Sequence, residues 1–366
     1  MRLRPCPTLM PEPMVPGITG TLDDAAIAAL TCWLRAEGLG DTVGDVVPLA
    51  GGSQNIVVRL TIDGRRMVVR RPPPHPRHNS NRTMQREIAV LRTLAGSDVP
   101  HPPLVAACED LDVLGVVFYL MEEVDGFNPG NEIAPAYVSD PAMRYQVGLN
   151  YAAAVARLGQ ARWQGSALES WRRPGSFLER QVPQWRSAVA AYRQQEGYHH
   201  DSLPGVDDLC DWLEAHQPDG YEPGIVHGDI HLNNTMLRRD VPDVAAFVDW
   251  EMCTIGDPLL DLGWMLVCWP LDPNPLGSAG HLAELGGLAS RGELFEAYVA
   301  AGGQRTPDLE WYLVLACVKL GVVIEGTWAR YLAGLATREA GERLHASAVT
   351  LMGLGAAVAS GENPFR

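Results

Sequence analysis

The chain has 366 residues, 46% hydrophobic and 20% charged, a balance that excludes a mostly disordered or fibrous protein and is large enough for two lobes with separate cores. A formal net charge of −15 argues against general nucleic-acid binding, and the apolar run at residues 313–324, which contains Lys319, is too short to span a membrane. Seven cysteines scattered singly, with no CxxC pair, suggest reduced thiols and a cytoplasmic location.

Residues 1–20 form a proline-rich arm whose prolines break any signal-peptide core. A helical stretch at 22–37 gives way to strand-like sequence: Val46-Val47, residues 56–62, the turn Asp63-Gly64, then residues 67–71. Asp-Gly between β-rich runs is a strong hairpin signal. Gly51-Gly52-Ser53, between the first two strands, reads either as a plain turn or as a glycine-rich loop whose backbone N–H groups cover phosphates. In the strand MVVRR successive side chains face opposite ways, so only one of Arg70 and Arg71 can enter a cleft. The only lysine of the chain is Lys319, far downstream, so any phosphate contact made from this half falls to arginine. Residues 65–92 hold eight arginines against one acid, Glu87, which suits an anionic ligand. Met84, Ile88 and Leu91 mark one helical stripe, and Glu87 lies on it. It has no cation three or four residues away and needs a partner from another element. Beyond residue 135 the pattern is helical, over 144–162, 175–194, 203–216, 258–267, 292–301 and 308–332, with Asp257-Pro258 as a capped helix start.

Residues 225–262 read IVHGDIHLNNTMLRRDVPDVAAFVDWEMCTIGDPLLDL. The apolar run ends in His227-Gly228-Asp229, and Asn234 follows five residues after Asp229. Residues 235–237 and 244–248 read as short strands separated by turn residues, a hairpin that brings Asn234 and Asp249 together at its open end. Nucleotide-bound magnesium takes one or two protein carboxylates or other oxygens, with phosphate and water completing the shell. Asn234 and Asp249 would supply them, leaving Asp229 to orient and deprotonate an attacking hydroxyl. In a strand, His227, Asp229 and His231 would instead share one face and hold a metal, but Gly228 marks a turn.

Asp229, Asn234 and Asp249, in that order, resemble the catalytic-loop Asp and Asn and the metal-binding Asp of the kinase fold. HGD with Asn five residues on, then VDWE and GDPLLDL, is similar to the aminoglycoside-phosphotransferase-like superfamily. The strand end VVRRPPP, the box Phe177-Leu178-Glu179-Arg180-Gln181 with Trp185, and the late helix around Trp328-Ala329-Arg330-Tyr331 resemble the branch related to kinase-like domains fused to some acyl-CoA dehydrogenases. The resemblance covers roughly residues 45–335.

It implies an α+β, bilobal protein-kinase-like fold: a small nucleotide-binding lobe at 21–124, with an antiparallel sheet plus a helix, and a larger, mostly helical catalytic and substrate lobe at 125–366. It further implies ATP and Mg²⁺ as cofactors and transfer of the γ-phosphate to a hydroxyl of a small molecule. In this branch the acceptor is of hydroxyacyl-CoA type; relatives elsewhere use aminoglycosides, macrolides, choline or homoserine. Matched to the family's strand, Arg70 takes the usual lysine position, reaching phosphate bidentately and pairing with Glu87. Residues 114–126 resemble the last small-lobe strand and hinge, where the backbone of Glu122 and Val124 would bond adenine and Met121 would wall its pocket. His227 and Asp261 would brace the catalytic loop. Trp171, Trp185 and Trp269 would line an acceptor pocket or fill the core. The missing small-lobe lysine leaves a nucleotide-binding pseudokinase, serving as an interaction module, as the alternative.

Overall fold

The structure is a computed structural model that describes residues 22–49, 55–73, 78–173, 175–277 and 279–365. The proline-rich arm and Gly51, Gly52 and Ser53 therefore lie outside the described residues.

The first half is built on a five-stranded antiparallel sheet in the order β1-β2-β3-β5-β4, from β1 (Val43–Pro48), β2 (Ile56–Ile62), β3 (Arg65–Arg71), β4 (Leu104–Cys108) and β5 (Phe118–Glu122). Asp63 and Gly64 both take positive φ, as the two-residue turn between right-twisted strands requires. The Asp63 carboxylate accepts from the Asp41 and Thr42 backbone and so ties the turn to β1. Alternation in β2 points Ile56, Val58, Leu60 and Ile62 to one face. There they meet Leu30 and Leu34 of α1 (Asp24–Ala36), together with Val69 and Leu120, in a small separate core. On the other side lies α2 (Ser80–Leu94), burying Met84, Glu87, Ile88, Val90, Leu91 and Leu94. A short helix, α3 (Leu111–Leu114), links β4 and β5.

After β5 the chain enters a larger helical part. Its helices are α4 (Pro135–Ser139), α5 (Pro141–Gln160), α6 (Gln181–Arg193), α7 (Val206–Ala215), α8 (Leu259–Cys268), α9 (Gly280–Leu285), α10 (Arg291–Ala300), α11 (Leu309–Leu332) and α12 (Arg338–Ala359). Between α7 and α8 run two strand pairs, β6 (Gly224–Val226) with β9 (Thr254–Gly256) and β7 (Thr235–Leu237) with β8 (Val244–Phe247). Backbone bonds between Phe127 and Leu237, each 2.8 Å, dock the segment leaving β5 onto that second hairpin.

This is the bilobal kinase-like architecture the resemblance implies, with differences in detail. The helix expected at 175–194 begins only at Gln181, after a 3-10 turn at Leu178–Arg180. The 22-residue α12, absent from the expected helices, packs along α11. Its Ala- and Gly-rich sequence carries only a weak apolar stripe, and it packs closely where Gly321 of α11 meets Ala348, Leu351 and Met352. The apolar run at 313–324 is part of a longer element: α11 has 24 residues and is long and apolar enough by composition to cross a membrane. Here 78% of its most apolar window is buried, in the core of the large lobe.

Candidate active site

Strand β6 is fully buried and delivers the chain to His227-Gly228-Asp229. Gly228 has φ 85°, and a Cβ there would lie 2.8 Å from the Met252 carbonyl, so this turn needs glycine. Asp261, in the first turn of α8, accepts from the N–H groups of His227 at 2.6 Å and Gly228 at 2.9 Å. Asp257 caps the same helix, accepting from Leu259 N–H at 3.0 Å and from the Tyr312 hydroxyl at 2.6 Å. From α11 the Lys319 ammonium donates to the Gly228 carbonyl.

The His227 ring is wholly buried, and burial pushes its pKa down to about 4. Its neutral imidazole donates from Nε2 to the Val248 carbonyl at 3.1 Å, while Nδ1 faces the Asp229 N–H at 3.4 Å. Both ring nitrogens are engaged, so His227 cannot join Asp229 and His231 as a metal ligand. Burial works against the Asp229 charge, yet His231, 3.3 Å away, outweighs it and holds the carboxyl well below the usual carboxylate range, helped by His227 and Lys319.

Asn234 ends a 3-10 turn, Leu232–Asn234, and its Nδ2 donates to Asp229 twice, to the backbone carbonyl at 3.0 Å and to Oδ2 at 2.9 Å. The hairpin of β7 and β8 then brings the chain back: Val248 N–H donates to the Asn234 carbonyl at 2.9 Å, and Asp249 follows in left-handed backbone, φ 68°. The open-end juxtaposition of Asn234 and Asp249 expected from the sequence is present. Glu251, two residues further, is pushed up to about 8 by burial and by Asp249 and Glu87.

The small lobe contributes the counter-charge. In β3, Arg70 and Arg71 face opposite sides; Arg70 turns toward the large lobe, and Arg71 is buried at 6% exposure with its charge toward Asp23. Arg70 Nε lies 2.9 Å from Glu87 Oε2, its Nη2 donates to Glu87 Oε1 at 3.1 Å, and the same Nη2 donates to Asp249 Oδ1 at 2.8 Å. Burial disfavours the Arg70 charge, but Glu87 and Asp249 overcome that and hold its pKa well above normal. Glu87 is fully buried, and its second oxygen accepts from the Tyr119 hydroxyl at 2.8 Å. Register explains the trio: Arg70 of β3 pairs with Tyr119 of β5, so both side chains leave the same face of the sheet toward α2.

One residue before Glu87, Arg86 donates to the Cys253 carbonyl at 2.7 Å and lies over the Trp171 ring, 4.0 Å from its centroid. The helix that carries Glu87 is thereby tied to the large lobe. Of the three tryptophans considered for an acceptor pocket, Trp269 is core, stacked on Tyr151 and donating to the Ala289 carbonyl, and Trp185 is buried at 5% exposure. Only Trp171 is partly open, under Arg86. At the end of β5, Met121 is half-buried, and the Glu122 N–H donates to Pro103 at 3.0 Å, so of its backbone only the carbonyl is left for an adenine. The Val124 N–H makes no backbone hydrogen bond among the described residues. A separate recess of about 410 Å³, lined by Gln160, Trp163, Glu222 and Tyr298, includes none of these groups.

Sequence reasoning missed Tyr119, Lys319 and Glu251. Tyr119 is found only once β3 is known to pair with β5; Lys319 had a signal, a lone ammonium inside an apolar helix.

The chain is similar to mouse acyl-CoA dehydrogenase family member 10, with 27% identity over 290 residues, covering 78% of this chain and 26% of that protein. It is likewise 27% identical to human acyl-CoA dehydrogenase family member 11 over 339 residues, covering 88% and 42%. It thus spans less than half the length of these relatives. Among solved structures it resembles a putative aminoglycoside phosphotransferase from Ralstonia eutropha, with 27% identity, coverage of 91% of this chain and 98% of that one, and a TM-score of 0.74. Aminoglycoside phosphotransferase APH(4)-Ia, in a ternary complex with ADP and hygromycin B, shares the fold at 15% identity, with coverage of 88% and 96% and a TM-score of 0.56. The phosphotransferase enzyme family APH matches residues 45–300, and the chain belongs to that family.

Proposed function

We propose that the chain is an ATP-dependent phosphotransferase that moves the γ-phosphate to a hydroxyl of a small molecule, with a hydroxyacyl-CoA-type thioester as acceptor. The observation that carries this proposal is the meeting of Arg70 and Glu87 from one lobe with Asp249, Asn234 and Asp229 from the other. The donor set fits a magnesium ion: Asn234 Oδ1 and Asp249 Oδ2 are hard oxygens left over by the hydrogen bonds described, and a nucleotide-bound magnesium needs few protein ligands. When bound, the ion supplies charge neutralisation at the phosphates.

The remaining work belongs to the side chains. Asp229 is kept ionised and accepts the proton of the acceptor hydroxyl. Asn234 holds one carboxylate oxygen, leaving the other oriented by His231. Arg70, fixed by Glu87, has guanidinium donors to spare for phosphate oxygens, a planar fork in place of a point charge. The Arg70–Glu87 pair favours an enzyme over a pseudokinase, because it supplies the cation that the absent lysine would have given.

The thioester acceptor is supported by the acyl-CoA dehydrogenase names of the curated relatives; an aminoglycoside or macrolide acceptor is supported by the Ralstonia structure. A melting-temperature screen with Mg²⁺ and AMP-PNP against hydroxyacyl-CoA thioesters, aminoglycosides and macrolides, followed by phosphate-transfer assays, separates them. Transfer to a hydroxyacyl-CoA is expected. Transfer only to an aminoglycoside or macrolide would replace the acceptor, and binding of Mg·AMP-PNP without transfer to anything would return the chain to the pseudokinase class.

A further inference from the structure

Helix α11 is apolar along the length that crosses the core, and between Glu310 and Glu325 its one charged side chain is Lys319, 5% exposed. A buried ammonium is costly to retain unless its donors and charge are met. Here they are met by the Gly228 carbonyl, by the face of Trp264 with the ammonium 4.3 Å from the ring centroid, and by the charges of Asp261 and Asp229. The partner atom is specific. The Gly228 carbonyl belongs to the peptide that joins Gly228 to Asp229, and the N–H of that same peptide faces the His227 ring. The preceding peptide is held by Asp261 through the Gly228 N–H. Two helices, α8 with an anion and α11 with a cation, therefore clamp successive peptides of the turn from their opposite polar ends.

We infer that Lys319 is a positioning residue for phosphoryl transfer: its ammonium fixes the peptide leading into Asp229 and so sets the direction in which the Asp229 carboxylate meets the acceptor. The inference rests on Asp229 acting at the acceptor hydroxyl. A space-filling role would be served equally by methionine or by leucine, which stands next to it in α11 as Leu320.

Because Lys319 is the only lysine in the chain, labelling the full chain with ¹⁵N-lysine gives one side-chain ammonium signal that needs no assignment. The expected result is a slowly exchanging signal that moves in the Asp229→Asn protein and moves on addition of Mg·AMP-PNP. A signal lost to rapid water exchange, or indifferent to Asp229→Asn, overturns the inference. In the kinetic arm, with 3-hydroxybutyryl-CoA as acceptor, Lys319→Met should lower kcat about 10²-fold while the KM for ATP stays within about twofold, as expected for a misaimed base. Unchanged kcat overturns the inference. If Lys319→Met does not fold, the lysine signal of the wild-type chain decides alone. If the wild-type chain transfers phosphate to no acceptor, the proposed function falls, whereas a lysine signal still coupled to Asp229 upholds the clamp.

Discussion

Arg70 of the small lobe and Asp249 of the large lobe meet across the cleft, Nη2 to Oδ1 at 2.8 Å, while Glu87 holds the same guanidinium along its Nε–Nη2 edge. Arg70→Ala should therefore weaken Mg·ATP binding roughly 10- to 10²-fold, the scale of hydrogen bonds to a charged group. Arg71→Ala, on the opposite face, should leave it within about twofold, and Arg70→Lys should keep part of it, because charge survives and the fork does not. In isothermal titration, the losses from Arg70→Ala and Glu87→Ala should be less than additive in the double variant. Additive losses, or a larger effect at Arg71, would place the wrong arginine at the phosphates.

Asp229→Asn keeps the shape of the side chain and removes its basicity. Turnover on a verified acceptor should fall roughly 10²- to 10⁴-fold with little change in ATP affinity. Wild-type turnover in this variant would exclude Asp229 as the base.

If Asn234 and Asp249 hold a cation on the nucleotide, ATP should raise the melting temperature only in the presence of a divalent ion, with about 2.7 kcal/mol of stabilisation at a hundredfold excess over Kd. Equal stabilisation in excess EDTA would count against that site. In Asp249→Ala the difference between Mg²⁺ and EDTA should disappear.

His227 makes a pH prediction. Its pKa is about 4 in the folded chain and near 6.5 when unfolded, so between these values the unfolded state binds more protons. The stability it contributes is complete above pH 6.5 and is lost as pH falls toward 4, about 3 kcal/mol in all. Asp257 and Asp261, raised to about 6 by burial, act in the opposite sense and gain stability as pH falls through the same window. Comparison with His227→Gln isolates the histidine: between pH 7 and pH 4.5 the wild-type chain should lose more urea-unfolding free energy than the variant. Parallel curves would mean that the ring is protonated without cost.

The large-lobe half of the site was legible because its spacing is local. HGD, Asn234 five residues on, and a hairpin back to Asp249 place three side chains together through short connections alone. The choice of Arg70 over Arg71 needed strand alternation and a family match, and the Arg70–Glu87 pair followed from a buried acid without a neighbour in its own helix. Tyr119 was out of reach, since β3 pairs with β5 across two intervening helices and a strand, a partnership that no local pattern encodes. Trp269 was ambiguous for the opposite reason: a tryptophan in an apolar helix end looks the same from the sequence whether it lines a pocket or, as here, stacks on Tyr151 in the core.

The contact of Arg86 with Trp171 and Cys253 joins the lobes away from the ion pair of Arg70 and Asp249. A cation over an indole together with a charged donor on a carbonyl amounts to about 2 to 4 kcal/mol. Parting the lobes therefore breaks this contact as well as the ion pair between Arg70 and Asp249.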